Sequence, residues 1–176
     1  MLFSETAIPG VWILEQERRA DERGYFSRTW CADELGGRGL VNVLAQSSIS
    51  YNARKGTLRG MHYQMAPHEE HKLVSVVRGA IFDVAVDLRP ASHAFRKWVG
   101  VELTQDNGQM LYIPAGCAHG FQTLTDETLV DYKISVPFAA GSSGGVRWND
   151  PAFGIDWPFE PLVISEKDAA WPLLAG

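Results

Sequence analysis

The feature that most constrains the fold is a succession of short segments rich in β-branched and aromatic residues, with turn residues between them. Eight follow one another, at residues 41–51, 57–64, 72–78, 80–88, 98–103, 109–113, 119–125 and 128–136. Such compositions favour strands, and glycine, proline, asparagine and aspartate at the breaks favour turns. Many short, regularly spaced strands predict an all-β sandwich or barrel. We expect one domain over residues 1–176, a length that can bury a sizeable core.

Two of these segments meet at Arg78 and Gly79, which predicts a tight hairpin with residues 98–103 as the next strand. In the second arm, Asp83 and Asp87 point away from an apolar face. We expect that face, formed by Phe82, Val84 and Val86, to line the interior. Helix is expected to be minor. The best candidate begins at Ser165, whose side chain can cap residues 166–168.

Composition excludes several functional classes. The chain carries 16 basic and 21 acidic residues, a net charge of −5, which argues against nonspecific binding of nucleic acid. No apolar run reaches the length of a membrane span, and no secretory signal is visible, so we expect a cytoplasmic protein that does not enter a membrane. Cys31 and Cys117 are expected to be buried free thiols.

Polar residues inside apolar segments are the candidates for chemistry. An ideal strand would place Arg59 and His62 on opposite faces, but Gly60 lies between them, and a glycine within a strand often marks a bulge. A bulge would turn both side chains into one cavity. Lys72 begins a strongly apolar strand, and Tyr132 shares a face with apolar neighbours. Taken alone, such a histidine or tyrosine is more often a core residue with satisfied polar atoms.

A metal site is the competing interpretation of the histidines. The spacing from Gly108 through Pro114 and Gly116 to His119 matches the second metal-binding motif of the cupin fold. The His-x-His pair of the first motif is missing, because Tyr63 and Gln64 follow His62. A loop cluster of His68 and His71 with Glu69 and Glu70 is an alternative without an evident second shell.

Ten segments in register give the chain a specific resemblance: 21–26, 55–64, 72–74, 78–79, 82–89, 98–103, 113–121, 147–151, 154–158 and 165–168. Together they resemble the dTDP-4-dehydrorhamnose 3,5-epimerase family along nearly the whole chain. The resemblance implies a cupin-type jelly-roll β-barrel with a few short peripheral helices. It also implies a homodimer that uses no metal or organic cofactor and acts on a dTDP-linked sugar.

The resemblance also assigns roles. His62 matches the general base, Asp168 the carboxylate paired with it, and Tyr132 the acid on the other side of the sugar. Lys72 matches a residue beside the reacting ketone. Residues that match substrate-holding positions are Arg23, Phe26, Gln46, Ser48, Arg59, His119 and Lys167.

These residue types suit the chemistry. Inverting a carbon next to a ketone requires a base and an acid on opposite faces of the ring. Histidine suits the base because its unperturbed pKa is about 6.5, and a carboxylate fixes its tautomer. The enolate oxygen needs a positive partner, for which Lys72 is the candidate. Arginines pair well with a pyrophosphate.

The chain departs from the commonest family pattern at several specificity positions. Arg28 and Ser143 replace glutamates, Ser48 replaces an asparagine, and Pro137 and Phe138 replace paired tyrosines. The identity of the sugar, and whether C3, C5 or both are inverted, therefore stay open. An epimerase of one centre on another nucleotide-linked keto sugar is the first alternative. A metal-dependent cupin using His119 with His68 or His71, and a binding module without catalysis, are further alternatives.

Overall fold

The structure is a computed structural model that describes residues 1–174. These residues form fourteen strands, two short α-helices and one 3-10 turn. In chain order the elements are β1 (Leu2–Glu5), β2 (Trp12–Glu15), β3 (Arg19–Asp21), β4 (Gly24–Phe26), α1 (Ala32–Gly36), β5 (Gln46–Asn52), β6 (Thr57–Gln64), β7 (Lys72–Arg78), β8 (Ala80–Asp87), β9 (Trp98–Thr104), β10 (Gln109–Ile113), β11 (Cys117–Thr123), β12 (Thr128–Ile134), the 3-10 turn (Ala140–Ser142), β13 (Ser143–Gly145), β14 (Val163–Ile164) and α2 (Glu166–Ala169).

Two sheets pack face to face. The first has the strand order β1-β2-β10-β7-β12-β5, and the second has the order β13-β6-β11-β8-β9, with β14 parallel to β6. Strands β3 and β4 form a separate two-stranded ribbon. This is the all-β architecture that the strand pattern predicted and the cupin-type jelly roll that the resemblance implied.

The main core fills one end of the space between the sheets. Val74 and Leu111 of the first sheet pack in one cluster with Ala85, Leu103 and Phe121 of the second, and all are at most 1% exposed. Full burial of such side chains contributes about 1.5–3 kcal/mol each. The core therefore fixes the two sheets relative to each other.

Strand positions agree well with the sequence prediction. Strands β6, β7 and β10 begin and end at the predicted residues, and the other predicted strands differ mainly at their ends. The largest difference is at residues 41–45, which lie outside β5. The sequence missed β1 to β4, β13 and β14, because strands of two to four residues are too short to show a periodic pattern.

The predicted hairpin at Gly79 is wrong. Strand β7 lies in the first sheet and β8 in the second, so the chain crosses between sheets at this glycine. Gly79 has φ +84°, and a β-carbon there would lie 2.5 Å from Oγ1 of Thr125. The expectation that 98–103 adds the next strand is confirmed, since β9 pairs with β8.

The predicted orientation of β8 is also wrong. Phe82, Val84 and Val86 pack in a cluster with Phe153 on the far side of the second sheet, rather than between the sheets. The interior receives the other face, including Asp83. The alternation of residues along β8 could not show which face points to the interior, because protein covers both faces of this strand.

The C-terminal segment brings one more functional element to the second sheet. Strand β14 runs beside β6, and α2 follows with Ser165 at its N-cap, where Oγ accepts the N–H of Asp168 at 3.1 Å. The predicted cap is confirmed. Within residues 1–174, no helix combines the length and apolar character needed to cross a bilayer. Both cysteines are free thiols, but only Cys117 is buried.

Candidate active site

A bulge between β6 and β11 creates one wall of the site. His62 lies opposite His119, whereas Arg59 lies opposite Phe121, so two residues of β6 face a single residue of β11. The extra residue brings Arg59 and His62 to the same face, as the sequence predicted. Gly60 permits this bulge for two reasons. Its φ of +137° is a backbone conformation that other residues rarely adopt, and a β-carbon at this position would lie 2.5 Å from Cα of Gly120.

The bulge opens onto a cavity of about 520 Å³ between the two sheets. The second sheet contributes side chains from β6 and β11, and the first contributes side chains from β5, β7 and β12. Predicted site residues in the lining are Ser48, Arg59, His62, Lys72, His119, Tyr132 and Lys167. The fold thus collects residues that are scattered along more than a hundred positions of sequence.

His62 is paired with a carboxylate from the end of the chain. Its Nε2 lies 2.7 Å from Oδ1 of Asp168, and Oδ2 of Asp168 accepts the N–H of Gly60 at 3.2 Å. Burial alone would raise the pKa of Asp168, but the hydrogen bond and charge of His62, with the N–H of Gly60, hold that pKa below its usual value. The ionised carboxylate orients the imidazole. The imidazole itself reaches the cavity, with 40% of the side chain exposed.

Tyr132 enters the cavity from the opposite sheet. It lies on β12 between Ser48 of β5 and Val74 of β7, and its ring stands edge-on to His119 with centroids 6.0 Å apart. Burial raises the pKa of Tyr132 well above its usual value; the charge of Asp83 adds to this effect and Arg59 opposes it. The phenol therefore keeps its proton at neutral pH and can donate it.

Lys72 has an anionic partner that sequence reasoning missed. Its Nζ lies 2.8 Å from Oε1 of Glu70, and only 10% of either side chain is exposed. The same ammonium lies 3.5 Å from the carbonyl oxygen of His62. Glu70 lines the cavity as well. The ammonium is therefore held at a fixed place on the wall.

His119 forms a second histidine–carboxylate pair. Its Nε2 lies 2.7 Å from Oδ1 of Asp83, which is fully buried. Burial raises the pKa of Asp83, while the charges of His119 and Lys72 oppose that rise. Asp83 was predicted to face away from the interior, so its pairing with His119 was not expected. The available signal was an aspartate inside a strand of buried aliphatic residues.

The mouth of the cavity carries cations. Arg59 donates from Nε to the side-chain oxygen of Asn52 at 2.7 Å, which aims the guanidinium along β5. Lys167 lies on α2, with Nζ 5.1 Å from the ring centre of Trp171. Gln46 is not part of the lining, but its side-chain oxygen accepts the N–H of Phe138, which is. The exposed guanidinium of Arg59 and ammonium of Lys167 are suited to pair with an anionic group.

Comparison with known proteins identifies the family of this site. The family model for dTDP-4-dehydrorhamnose 3,5-epimerase matches residues 5–176. The chain belongs to this epimerase family. It is therefore an isomerase, as the sequence predicted.

Individual relatives match this chain over most of their own length. The dTDP-4-dehydrorhamnose 3,5-epimerase of Sinorhizobium fredii is 43% identical over 99% of this chain and 90% of its own. The crystal structure of the Bacillus anthracis enzyme of the same name, with TDP and PPi bound, has a TM-score of 0.95 at 39% identity and covers 98% of this chain and 99% of its own. A 3′-monoepimerase from Streptomyces bikiniensis, in complex with dTDP-quinovose, has a TM-score of 0.88 at 32% identity over 96% and 85% of the two chains.

Besides Gln46, two residues suggested by the epimerase resemblance lie outside the cavity of this chain. Phe26 is 75% exposed on the β3–β4 ribbon, and Arg23 on the same ribbon pairs with Asp21 at 2.6 Å. Within a single copy, these two side chains therefore do not line the cavity. The physical reason is that the ribbon pairs with neither sheet.

The departures from the common epimerase pattern fall into two groups. Ser48, Phe138 and Ser143 line the cavity and therefore change its inner surface. Arg28 lies away from it and pairs with Glu34 at 2.6 Å. Pro137 is exposed beside Phe138. Three smaller or less polar side chains thus surround the space that the sugar nucleotide would occupy.

The described residues of this epimerase do not form the set of ligands that the metal-binding alternative requires. Across residues 1–174, no three or more histidine, cysteine, aspartate or glutamate side chains are grouped so that they could hold a metal ion. His119 is engaged by Asp83, and His71 packs against Tyr112 with ring centroids 6.0 Å apart.

Proposed function

We propose that this chain inverts C3, C5 or both in a dTDP-linked 4-keto-6-deoxy sugar, through an enolate. The observation that carries the proposal is the placement of His62 and Tyr132, which reach one cavity from opposite sheets. An epimerase needs this arrangement because a proton must leave one face of the carbon and return to the other. The family to which the chain belongs supports the same reaction.

The first half-reaction uses His62. Its imidazole takes the proton from the carbon beside the ketone, and the electron pair of the broken C–H bond moves into the enolate. Asp168 stabilises the imidazolium that forms. Lys72 donates a hydrogen bond to the enolate oxygen, a contribution whose loss costs about 3–4 kcal/mol in comparable sites.

The second half-reaction uses Tyr132. Its hydroxyl gives a proton to the opposite face of the carbon, and the enolate returns to the ketone. The phenolate recovers a proton from solvent, and the imidazolium releases one, so the enzyme ends in its starting state. Every transferred proton is thus accounted for by two side chains and water.

The cations at the mouth are proposed to hold the nucleotide. Arg59 and Lys167 are suited to a pyrophosphate because a guanidinium and an ammonium both pair strongly with phosphate oxygens. The Bacillus anthracis relative, which has TDP and PPi bound, supports this choice of ligand. Ser48 and Gln46 are proposed to contact the sugar nucleotide at the rim. His119, held by Asp83, would line the floor beside the ring of Tyr132.

A homodimer would explain Arg23 and Phe26. We propose that the exposed ribbon of one copy reaches the cavity of its partner and adds these two side chains there. Exchange between subunits is testable by mixing Arg23→Ala with His62→Asn. Random pairing across a two-fold interface should restore about a quarter of wild-type activity. Failure of the mixture to gain activity over either variant would reject the shared site.

We also propose that the enzyme works in the cytoplasm, which its two free cysteines favour because reducing compartments keep thiols free. Fractionation of cells expressing the protein would test this location.

The decisive test of function is exchange with heavy water. Incubation with dTDP-4-keto-6-deoxyglucose in deuterated buffer should place deuterium at C3, C5 or both, as read by proton NMR. Label at neither C3 nor C5 would reject the proposal.

Inversion of one centre is the second candidate. Ser48, Phe138 and Ser143 alter the cavity wall, and a 32% identical relative is a 3′-monoepimerase. Label at a single carbon would favour that activity over double inversion.

A further inference from the structure

One aromatic side chain near the site has no part in the reaction described above. Trp171 follows α2, and its ring lies edge-to-face with His62, with centroids 6.2 Å apart and planes at 69°. The ring therefore packs against the imidazole, on which the first proton transfer depends. Aromatic pairs in this geometry stabilise each other beyond the area that they bury.

The neighbouring strand makes room for this ring. Gly145 of β13 is the cross-strand partner of His62. A β-carbon on Gly145 would lie 2.3 Å from Cε2 and 2.6 Å from Nε1 of Trp171. Since atoms cannot approach so closely, any larger residue at position 145 would push the indole away from His62.

The backbone of Trp171 is anchored independently of its ring. The side-chain Nε of Arg147 donates to the carbonyl oxygen of Trp171 at 2.8 Å. The backbone N–H of Arg147 donates to the carbonyl oxygen of Pro172 at 3.1 Å. Replacing the side chain therefore leaves the path of the chain supported. Lys167 lies on the same ring, so the indole contacts both a proposed base and a proposed substrate-binding residue.

The indole N–H completes the arrangement. It is buried, and no acceptor among residues 1–174 meets the distance and angle of a full hydrogen bond with it. It nevertheless lies close enough to Asp168 to add to the interactions that lower the pKa of that carboxyl, after those of His62 and Gly60. The ring of Trp171 thus contacts His62, and its N–H dipole acts on Asp168.

We propose that Trp171 is a positioning residue of this epimerase, whose ring holds the imidazole of His62 in line with Asp168 and with the carbon that loses its proton. The proposal rests on the proposed function. It predicts that loss of the ring slows proton abstraction without abolishing substrate binding, because small displacements of a base are costly to the chemical step.

Three variants test the proposal. Trp171→Leu removes the ring, Trp171→Phe retains a smaller ring without the N–H, and Gly145→Ala displaces an intact indole. Trp157→Phe is the matched control, because the indole of Trp157 donates to the carbonyl of Trp148 at 2.9 Å and lines no part of the cavity. The measurements are kcat, KM, the deuterium isotope effect with substrate labelled at the inverted carbon, and the thermal midpoint.

We expect Trp171→Leu to lower kcat by about 10- to 100-fold, with Trp171→Phe less affected. KM should change little, and the isotope effect should rise, because proton abstraction becomes more rate-limiting. Gly145→Ala should repeat this pattern, and Trp157→Phe should not. If Trp171→Leu does not fold, Trp171→Phe and Gly145→Ala still test the positioning role.

Several outcomes would overturn the proposal. One is an unchanged kcat and isotope effect in folded Trp171→Phe and Gly145→Ala. Another is a rise in KM alone, which would mean that Trp171 acts through Lys167. A loss of activity that follows only the unfolded fraction would assign the residue to stability. Wild-type protein that exchanges no deuterium would instead reject the proposed function, so the two failures are distinguishable.

Discussion

Nε2 of His62 and Oδ1 of Asp168 lie 2.7 Å apart, although 106 positions of sequence separate the two residues. The contact exists because β14 runs parallel to β6, so that α2, which follows β14, lies beside the bulge at Gly60. It joins a cavity residue to a carboxylate that is itself only 8% exposed. The candidate base is thus oriented from outside the barrel, by the last secondary structure element of the described chain.

Removing the charge of Asp168 should slow the reaction without unfolding the protein. Asp168→Asn keeps the shape of the side chain and the main-chain bond to Ser165, but it cannot stabilise an imidazolium. We expect kcat to fall by about 10²–10⁴-fold with a nearly unchanged KM. Deuterium wash-in should fall in parallel. The exposed Asp156→Asn is the control, and equal rates for both variants would contradict the role of the pair.

Tyr132→Phe should separate proton removal from inversion. The phenol is expected to act only when a proton returns, so His62 can still form the enolate. We expect deuterium exchange at the carbon to continue while the inverted product forms about 10²–10⁴-fold more slowly. NMR of one reaction mixture reports both quantities. Loss of exchange to the same extent as loss of inversion would show that the phenol is needed for the first step.

Gly60→Ala should destabilise the fold at the bulge. The new β-carbon would meet Cα of Gly120 at 2.5 Å, in a backbone conformation that side chains rarely adopt. Overpacking of this kind costs about 1–3 kcal/mol. Urea unfolding measures the loss. Gly141→Ala is the control, since nothing lies within 4 Å of its β-carbon, and an equal loss there would contradict the steric argument.

Asp87→Asn should lower the free energy of unfolding, by an amount that depends on pH. Burial opposes ionisation of Asp87, but hydrogen bonds from Arg89 and Ser92 lower its pKa overall. Nε and Nη2 of Arg89 both lie 2.8 Å from the carboxylate. We expect a loss of about 1–3 kcal/mol at neutral pH, as for other buried groups left without a partner.

The sign of the pH effect follows from the lowered pKa. The contribution of Asp87 is complete above the unfolded-state pKa of about 3.9 and disappears as the pH falls through the lower folded-state value. The difference in unfolding free energy between wild type and Asp87→Asn should therefore shrink below about pH 4. Asp21→Asn removes a similarly spaced but exposed pair and should matter little at any pH. A difference that grows in acid would contradict this assignment.

Local patterns in the sequence were sufficient for much of the fold. Residues 57–64 and 72–78 were recognisable as strands because β-branched residues dominate them and turn residues flank them. The bulge at Gly60 and the cap at Ser165 were predictable for the same reason, since each depends on neighbours a few residues apart. The resemblance between motifs then indicated the family, which the comparisons confirmed.

Long-range pairing was not predictable in this way. The assumption that adjacent strands form a hairpin failed at Gly79, where the chain changes sheets. The face of β8 was misassigned because both of its faces are buried, so alternation carried no information about direction. The roles of Glu70, Asp83 and Trp171 were not predicted, because they depend on partners that only the tertiary structure brings near.

The sequence by itself determined the strand-forming segments, the position of the bulge and the set of side chains able to exchange protons. Only the tertiary structure decided which of them share a cavity, and it left Arg23 and Phe26 outside it. The physical reason is that strand propensity and turn preference act between near neighbours. The meeting of His62, Asp168 and Tyr132 depends instead on how two sheets pack and how the C-terminal segment docks on them.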